Sequence, residues 1–201
     1  MLFEDTYRTI LSESTGIYKE KGSKFLAFAL PVETEDQVKQ ELERLRKTYY
    51  DARHHCYAYI VGVDKSAWRV NDDGEPSGTG GRPIHGQLLS NDLTNVLVVV
   101  VRYFGGIKLG VGGLINAYRS AAADAIANAE IVQETIKEVY ELRFKYEEMN
   151  NVMRVLKEDE VEILESDFNL DCKMKIRIRR SMADKTRKRL CNTYACNMIC
   201  K

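Results

Sequence analysis

Two segments of this chain concentrate residues able to hold an anion or move a proton. Residues 71–83 read NDDGEPSGTGGRP and pack four glycines, three acids, two hydroxyls and one arginine into thirteen positions. Residues 102–113 read RYFGGIKLGVGG, with five glycines and the two cations Arg102 and Lys108. Glycine permits positive φ and close backbone approach. Each segment opens a predicted helix, where unpaired amides and the positive end of the helix dipole suit a negatively charged guest. Thr79 or a neighbouring glycine is the expected cap of the first helix. If the loops meet, Gly78, Thr79, Gly80, Gly81, Arg82, Arg102, Gly105, Gly106, Lys108, Gly112 and Gly113 could line one cleft for a phosphate or a nucleic-acid backbone.

Known phosphate motifs do not fit. Residues 105–110 keep the glycine spacing of a P-loop, but Val111 stands where lysine is required, and no G-x-G-x-x-G occurs. The acid–base candidates are Asp73, Glu75, Ser77 and His55. A carboxylate acting on a small phosphorylated or acyl substrate, with the loops as oxyanion donors, is the enzymatic alternative. His55 beside Ser77 or Thr79 could serve as a base, yet no G-x-S-x-G elbow or ordered triad is present. His54, His55 and Cys56 are metal-ligand types, but adjacent strand residues point to opposite faces, so neither a metal nor a cofactor is expected. Cys191, Cys196 and Cys200 match no zinc or redox spacing and read as small, partly buried residues.

A second basic feature lies in residues 173–189, with nine cations and one acid. Lys173, Lys175, Arg177 and Arg179 alternate with Met174, Ile176 and Ile178, giving one basic and one apolar strand face. The basic face could follow RNA phosphates, or it could pair with Glu160 and Glu162 on a neighbouring strand.

These residues need a scaffold, and 201 residues suffice for two domains. Lys plus Arg and Asp plus Glu are both 30, so any electrostatic function must be local. Glu4, Asp5 and Arg8 interrupt any apolar leader, no run approaches a membrane span, and the odd count of five cysteines suggests reduced thiols. A cytoplasmic protein with no membrane contact is expected. Periodicity predicts a strand over 23–32, a helix over 35–48 capped by Thr34 and Gln37, and a hairpin over 53–63 and 68–70. A helix over 82–90 follows, then a doubly covered central strand over 94–103 and an alanine-rich helix over 112–129 slim enough to sit close to a sheet. Beyond a short joint near Gln133, strands at 136–146, 161–166, 170–180 and 197–201 with helices at 147–159 and 183–195 give the order βαββαβ of a ferredoxin-like sandwich.

Three blocks carry a family resemblance: ARHHCYAY at 52–59, DDGEPSGTGGRPI at 72–84 and RYFGGIKLGVGGLINAY at 102–118. Together they resemble the signature of the IMPACT family in its two-domain bacterial form. The resemblance implies an α+β protein with an IMPACT-type domain at 1–132, similar to domain IV of elongation factor G and to ribonuclease PH. A ferredoxin-like domain at 134–201, similar to domain V of the same factor, would follow. It also implies a regulator of translation or of a stress response, with RNA, the ribosome or a translation protein as partner, and it brings no agreed catalytic residues. This chain departs from the pattern with Gly80 for alanine, His85 for an aliphatic residue and Asn116 for arginine.

Overall fold

The structure is a computed structural model, which describes residues 5–168, 171–193 and 196–200. Glu4, Leu170, Ala195 and Lys201, named in the sequence reading or bounding its elements, lie outside the described residues. The chain divides between Glu134 and Thr135 into two compact units, with Asp5 and Thr6 grouped in the second.

In the first unit, strands β2 (Ser14–Glu20), β3 (Ser23–Pro31), β4 (His54–Val61), β5 (Ala67–Asn71) and β6 (Val96–Tyr103) form one antiparallel sheet in the order β2-β3-β6-β4-β5. Helix α1 (Glu35–Thr48) covers one face, where Val38, Leu42 and Leu45 meet Phe28, Leu30, Tyr57, Tyr59, Val99 and Val101. Helices α2 (Gly81–Ser90) and α3 (Gly110–Ala127) cover the other, where Ile84, Leu88, Ala117, Tyr118 and Ala121 meet Phe25, Ala27, Cys56, Ala58, Val98 and Val100. The valine run of β6 therefore belongs to a central strand buried on both sides, as expected, although its neighbours are antiparallel. Two covered faces select that composition whichever way the strands run.

Local signals explain the helices. The Gln37 N–H donates to Thr34 Oγ1 at 3.2 Å, starting α1 at the expected cap. The alanine face of α3 lies so close to β2 that a Cβ on Gly16 would come within 2.2 Å of Ala125 N. Strands β1 (Thr6–Ile10) and β7 (Ile131–Thr135) pair in a separate two-stranded sheet. Neither these nor β2 were expected from the sequence.

The second unit contains β8 (Lys137–Lys145), a 3-10 turn (Tyr146–Glu148), α4 (Met149–Glu158), β9 (Glu162–Asp167), β10 (Asp171–Arg179), α5 (Arg180–Thr193) and β11 (Asn197–Cys200). Its antiparallel sheet has the order β11-β8-β10-β9. The apolar side of β10, with Met174, Ile176 and Ile178, packs with Val152, Val155, Leu156 and Leu190 of the helices. The βαββαβ succession is the one predicted. No helix among the described residues is long and apolar enough to cross a membrane.

Candidate functional site

The first glycine-rich loop is organised from within by Asp72. The Gly78 N–H donates to its Oδ2 at 2.7 Å, and the Gly80 and Gly81 N–H groups donate to its Oδ1 at 2.9 and 2.8 Å. This carboxylate occupies the start of α2, where the sequence suggested an external anion, so these three amides are already engaged. Thr79 is not the cap either: its hydroxyl donates to the Pro76 carbonyl at 2.6 Å, and Gly80 holds the N-cap position without a side-chain bond. An alanine Cβ at position 80 would lie 2.7 Å from Cys56 Sγ, so in this chain the Cys56 side chain would have to shift to admit it.

The two loops nevertheless meet. Gly74, Glu75 and Pro76 from the first, and Arg102, Phe104, Lys108, Leu109, Gly110 and Val111 from the second, line a cavity of about 470 Å³. Arg53 and His54 at the start of β4 and Leu114 of α3 complete it. Its floor is a buried polar cluster. Arg102 Nη1 donates to Glu75 Oε1 at 2.5 Å, and the Tyr118 hydroxyl donates to the same oxygen at 2.9 Å. The Arg102 guanidinium lies 5.4 Å from the Phe25 ring centroid and 5.5 Å from that of Phe104. His54 Nδ1 bonds the Asp73 carbonyl oxygen at 2.8 Å, leaving Nε2 3.9 Å from Glu75 Oε1. Burial, reinforced by Cys56 and Glu75, pushes the Tyr118 hydroxyl up, so it stays protonated and donates. Burial likewise keeps the Cys56 thiol protonated, and it bonds the Asp72 carbonyl at 3.0 Å.

Residues 21–126 match the family model described as the Impact N-terminal domain. The chain belongs to the IMPACT family. It is 33% identical over 156 residues to the IMPACT family member YigZ of Escherichia coli, spanning 77% of this chain and 76% of that one. It is 32% identical over 147 residues to the IMPACT family member YvyE of Bacillus subtilis, spanning 73% and 68%. A crystal structure of a hypothetical protein superposes over 98% of both chains with a TM-score of 0.78 at 26% identity. The three sequence blocks that resembled the IMPACT family surround the cavity or support its walls.

Not every expected site residue of this IMPACT family chain reaches the cavity. Gly78, Thr79, Gly80, Gly81 and Arg82 build the Asp72 turn and the start of α2 instead. Gly105 abuts the β2–β3 turn, where a Cβ would lie 1.9 Å from the Gly22 carbonyl carbon, and its N–H donates to Ser23 Oγ at 3.1 Å. Gly106 adopts a positive φ of 88°, while Gly112 and Gly113 lie in the first turn of α3. Arg102, expected as an outward cation, is only 6% exposed and paired with Glu75.

The four acid–base candidates do not converge. Glu75 is buried beneath the cavity, and Ser77 is exposed and does not line it. The Asp73 carboxylate accepts from the His55 N–H at 2.7 Å and approaches Arg46 at 3.5 Å. His55 faces the α1 side of the sheet, opposite His54. Burial lowers its pKa, with the Asp73 charge opposing that shift. Among the described residues, no group of three or more His, Cys, Asp or Glu could hold a metal ion. Arg53, His54 and Phe104 were missed as cavity residues. Strand register was the available signal for His54, since it pairs directly with Arg102.

The basic face of β10 is largely neutralised. Lys175 pairs with Glu165 at 3.0 Å, Arg177 with Glu162 at 3.3 Å and Arg179 with Asp5 at 2.5 Å, while Lys173 lies opposite Asp167 in the register. Glu162 was an expected partner. Glu160 was not used, because it sits before β9 in a positive-φ turn.

Proposed function

We propose that the protein is a non-catalytic factor that binds RNA, as part of the ribosome or of the translation machinery, through the cavity between the two glycine-rich loops. The observation that carries this reading is the distribution of charge around the cavity. Arg53 and Lys108 line it, and neither forms an ion pair with a described residue, whereas the one lining carboxylate, Glu75, is spent on Arg102 and Tyr118. Uncompensated cations beside exposed backbone suit phosphate, and a carboxylate locked beneath them is poorly placed to exchange protons with a substrate.

The family resemblance points the same way. A first unit similar to domain IV of elongation factor G and to ribonuclease PH, followed by a ferredoxin-like unit similar to domain V, would suit a ribosome-associated role. The βαββαβ order of the second unit supports the latter similarity.

Fluorescence anisotropy with ribosomal RNA fragments and whole ribosomes tests the proposal. Binding should be tightest at low salt, and an Arg53→Ala/Lys108→Ala variant should lower the log–log salt slope by about 1.4, two single-strand phosphate contacts' worth. Absence of binding at low salt refutes it. Nuclease-resistant capture on ribosomal proteins would indicate a protein partner instead.

A further inference from the structure

The second loop carries more than charge. Phe104 is 45% exposed, and Ile107 and Val111 are 56% and 58% exposed on the same loop and the following turn. Folding normally hides an aromatic ring of this size, and an exposed one beside cations is the usual equipment for stacking bases. The ring is also held in place. Arg102 lies over it at 5.5 Å, and Arg102 is itself fixed by the ion pair to Glu75 and by its approach to the Phe25 ring at 5.4 Å. A buttressed ring loses little freedom when a guest stacks on it. Leu109, Val111 and Leu114 supply an apolar wall to the same cavity, whose volume of about 470 Å³ lies in the range that accepts small ligands.

We propose that this cavity receives an unstacked base of single-stranded RNA, with Phe104 as its stacking platform and Arg53 and Lys108 on the flanking phosphates. The inference rests on the RNA-binding reading above and adds to it the recognition of a base. A duplex keeps its bases stacked and offers none to the ring, so single strands, loops and bulges are the preferred form. A peptide would need acids to meet the two cations and, beside them, an aromatic or guanidinium side chain to cover the ring's π-face, whereas each nucleotide carries both a phosphate and a planar base.

The test measures the affinity of a short, labelled single-stranded oligonucleotide and of the same oligonucleotide with abasic residues. Wild type should bind the intact strand about 5- to 150-fold more tightly than the abasic one, the worth of one base–aromatic stack. Phe104→Ala should lose that preference and keep the salt slope, whereas Phe104→Tyr should retain it. Unchanged Trp68 emission and melting temperature show that the half-exposed ring was not needed for folding. Equal binding of intact and abasic strands by wild type, or intact binding within twofold for Phe104→Ala, overturns the stacking proposal and leaves phosphate binding standing. Failure of wild type to bind either strand at low salt instead sinks the underlying reading. Preference for duplex, or a free mononucleotide bound as tightly as the strand, would also overturn the assignment.

Discussion

Replacing Glu75 with alanine would strand a guanidinium in the interior. The Arg102 side chain is 7% exposed and that of Glu75 is 4% exposed, so little solvent screens the pair and Arg102 depends on the carboxylate for compensation. Removing one partner of such a pair costs about 3–5 kcal/mol, mostly as the penalty of an uncompensated buried charge. The Tyr118 hydroxyl loses its acceptor in the same step. At roughly 4 °C per kcal/mol for a unit of this size, the melting temperature should fall by about 12–20 °C. Trp68 is the chain's one tryptophan and lies in the first unit, so its fluorescence follows that unit during urea or thermal unfolding. An Arg102→Met/Glu75→Leu double variant removes both charges and should recover a large part of the loss, giving a strongly non-additive cycle. A Glu75→Ala loss below about 1 kcal/mol would refute the reasoning, since exposed pairs behave that way. So would a double variant as unstable as the sum of the single changes.

Three other outcomes follow from the packing of the first unit. Gly105→Ala should destabilise the first unit by about 1–3 kcal/mol or more, because its Cβ would meet Gly22 backbone that cannot swing aside. By contrast, Gly112→Ala should stabilise by up to about 1 kcal/mol, since nothing lies within 4 Å of the added methyl and the site is helical; denaturation midpoints check both. His55 is held neutral by burial, so its contribution to stability is complete above the ordinary imidazole pKa of about 6.5 and is lost as pH falls through its lower folded value. A His55→Phe variant should show a shallower acid-side loss in Trp68-monitored unfolding, though not a flat one, because burial shifts His85 in the same direction.

Patterns of long period were readable in the sequence, while those decided by single contacts were not. Four consecutive valines announced a strand covered on both faces, and the alanines of α3 announced a close approach that Gly16 completes on β2. Strand β2 itself was missed because Gly16, Lys19 and Glu20 offer little β signal, and edge strands tolerate that composition. The internal role of Asp72 was hidden because local sequence does not say whether a loop carboxylate turns outward or back on its own amides. Arg102 could have been read better. It shares strand parity with Val98 and Val100, which point toward α2 and α3, so its side chain had to enter the core with a partner. The same parity separates His54 and Cys56 from His55 and Tyr57.

The clasp that Asp72 makes on three amides has a kinetic consequence. Because the segment is tied by its own acid, its shape does not wait for a visitor, and the ordering cost has been met during folding. Capture at the adjoining rim should then proceed without a slow rearrangement, at a speed governed by collision and by attraction to Arg53 and Lys108.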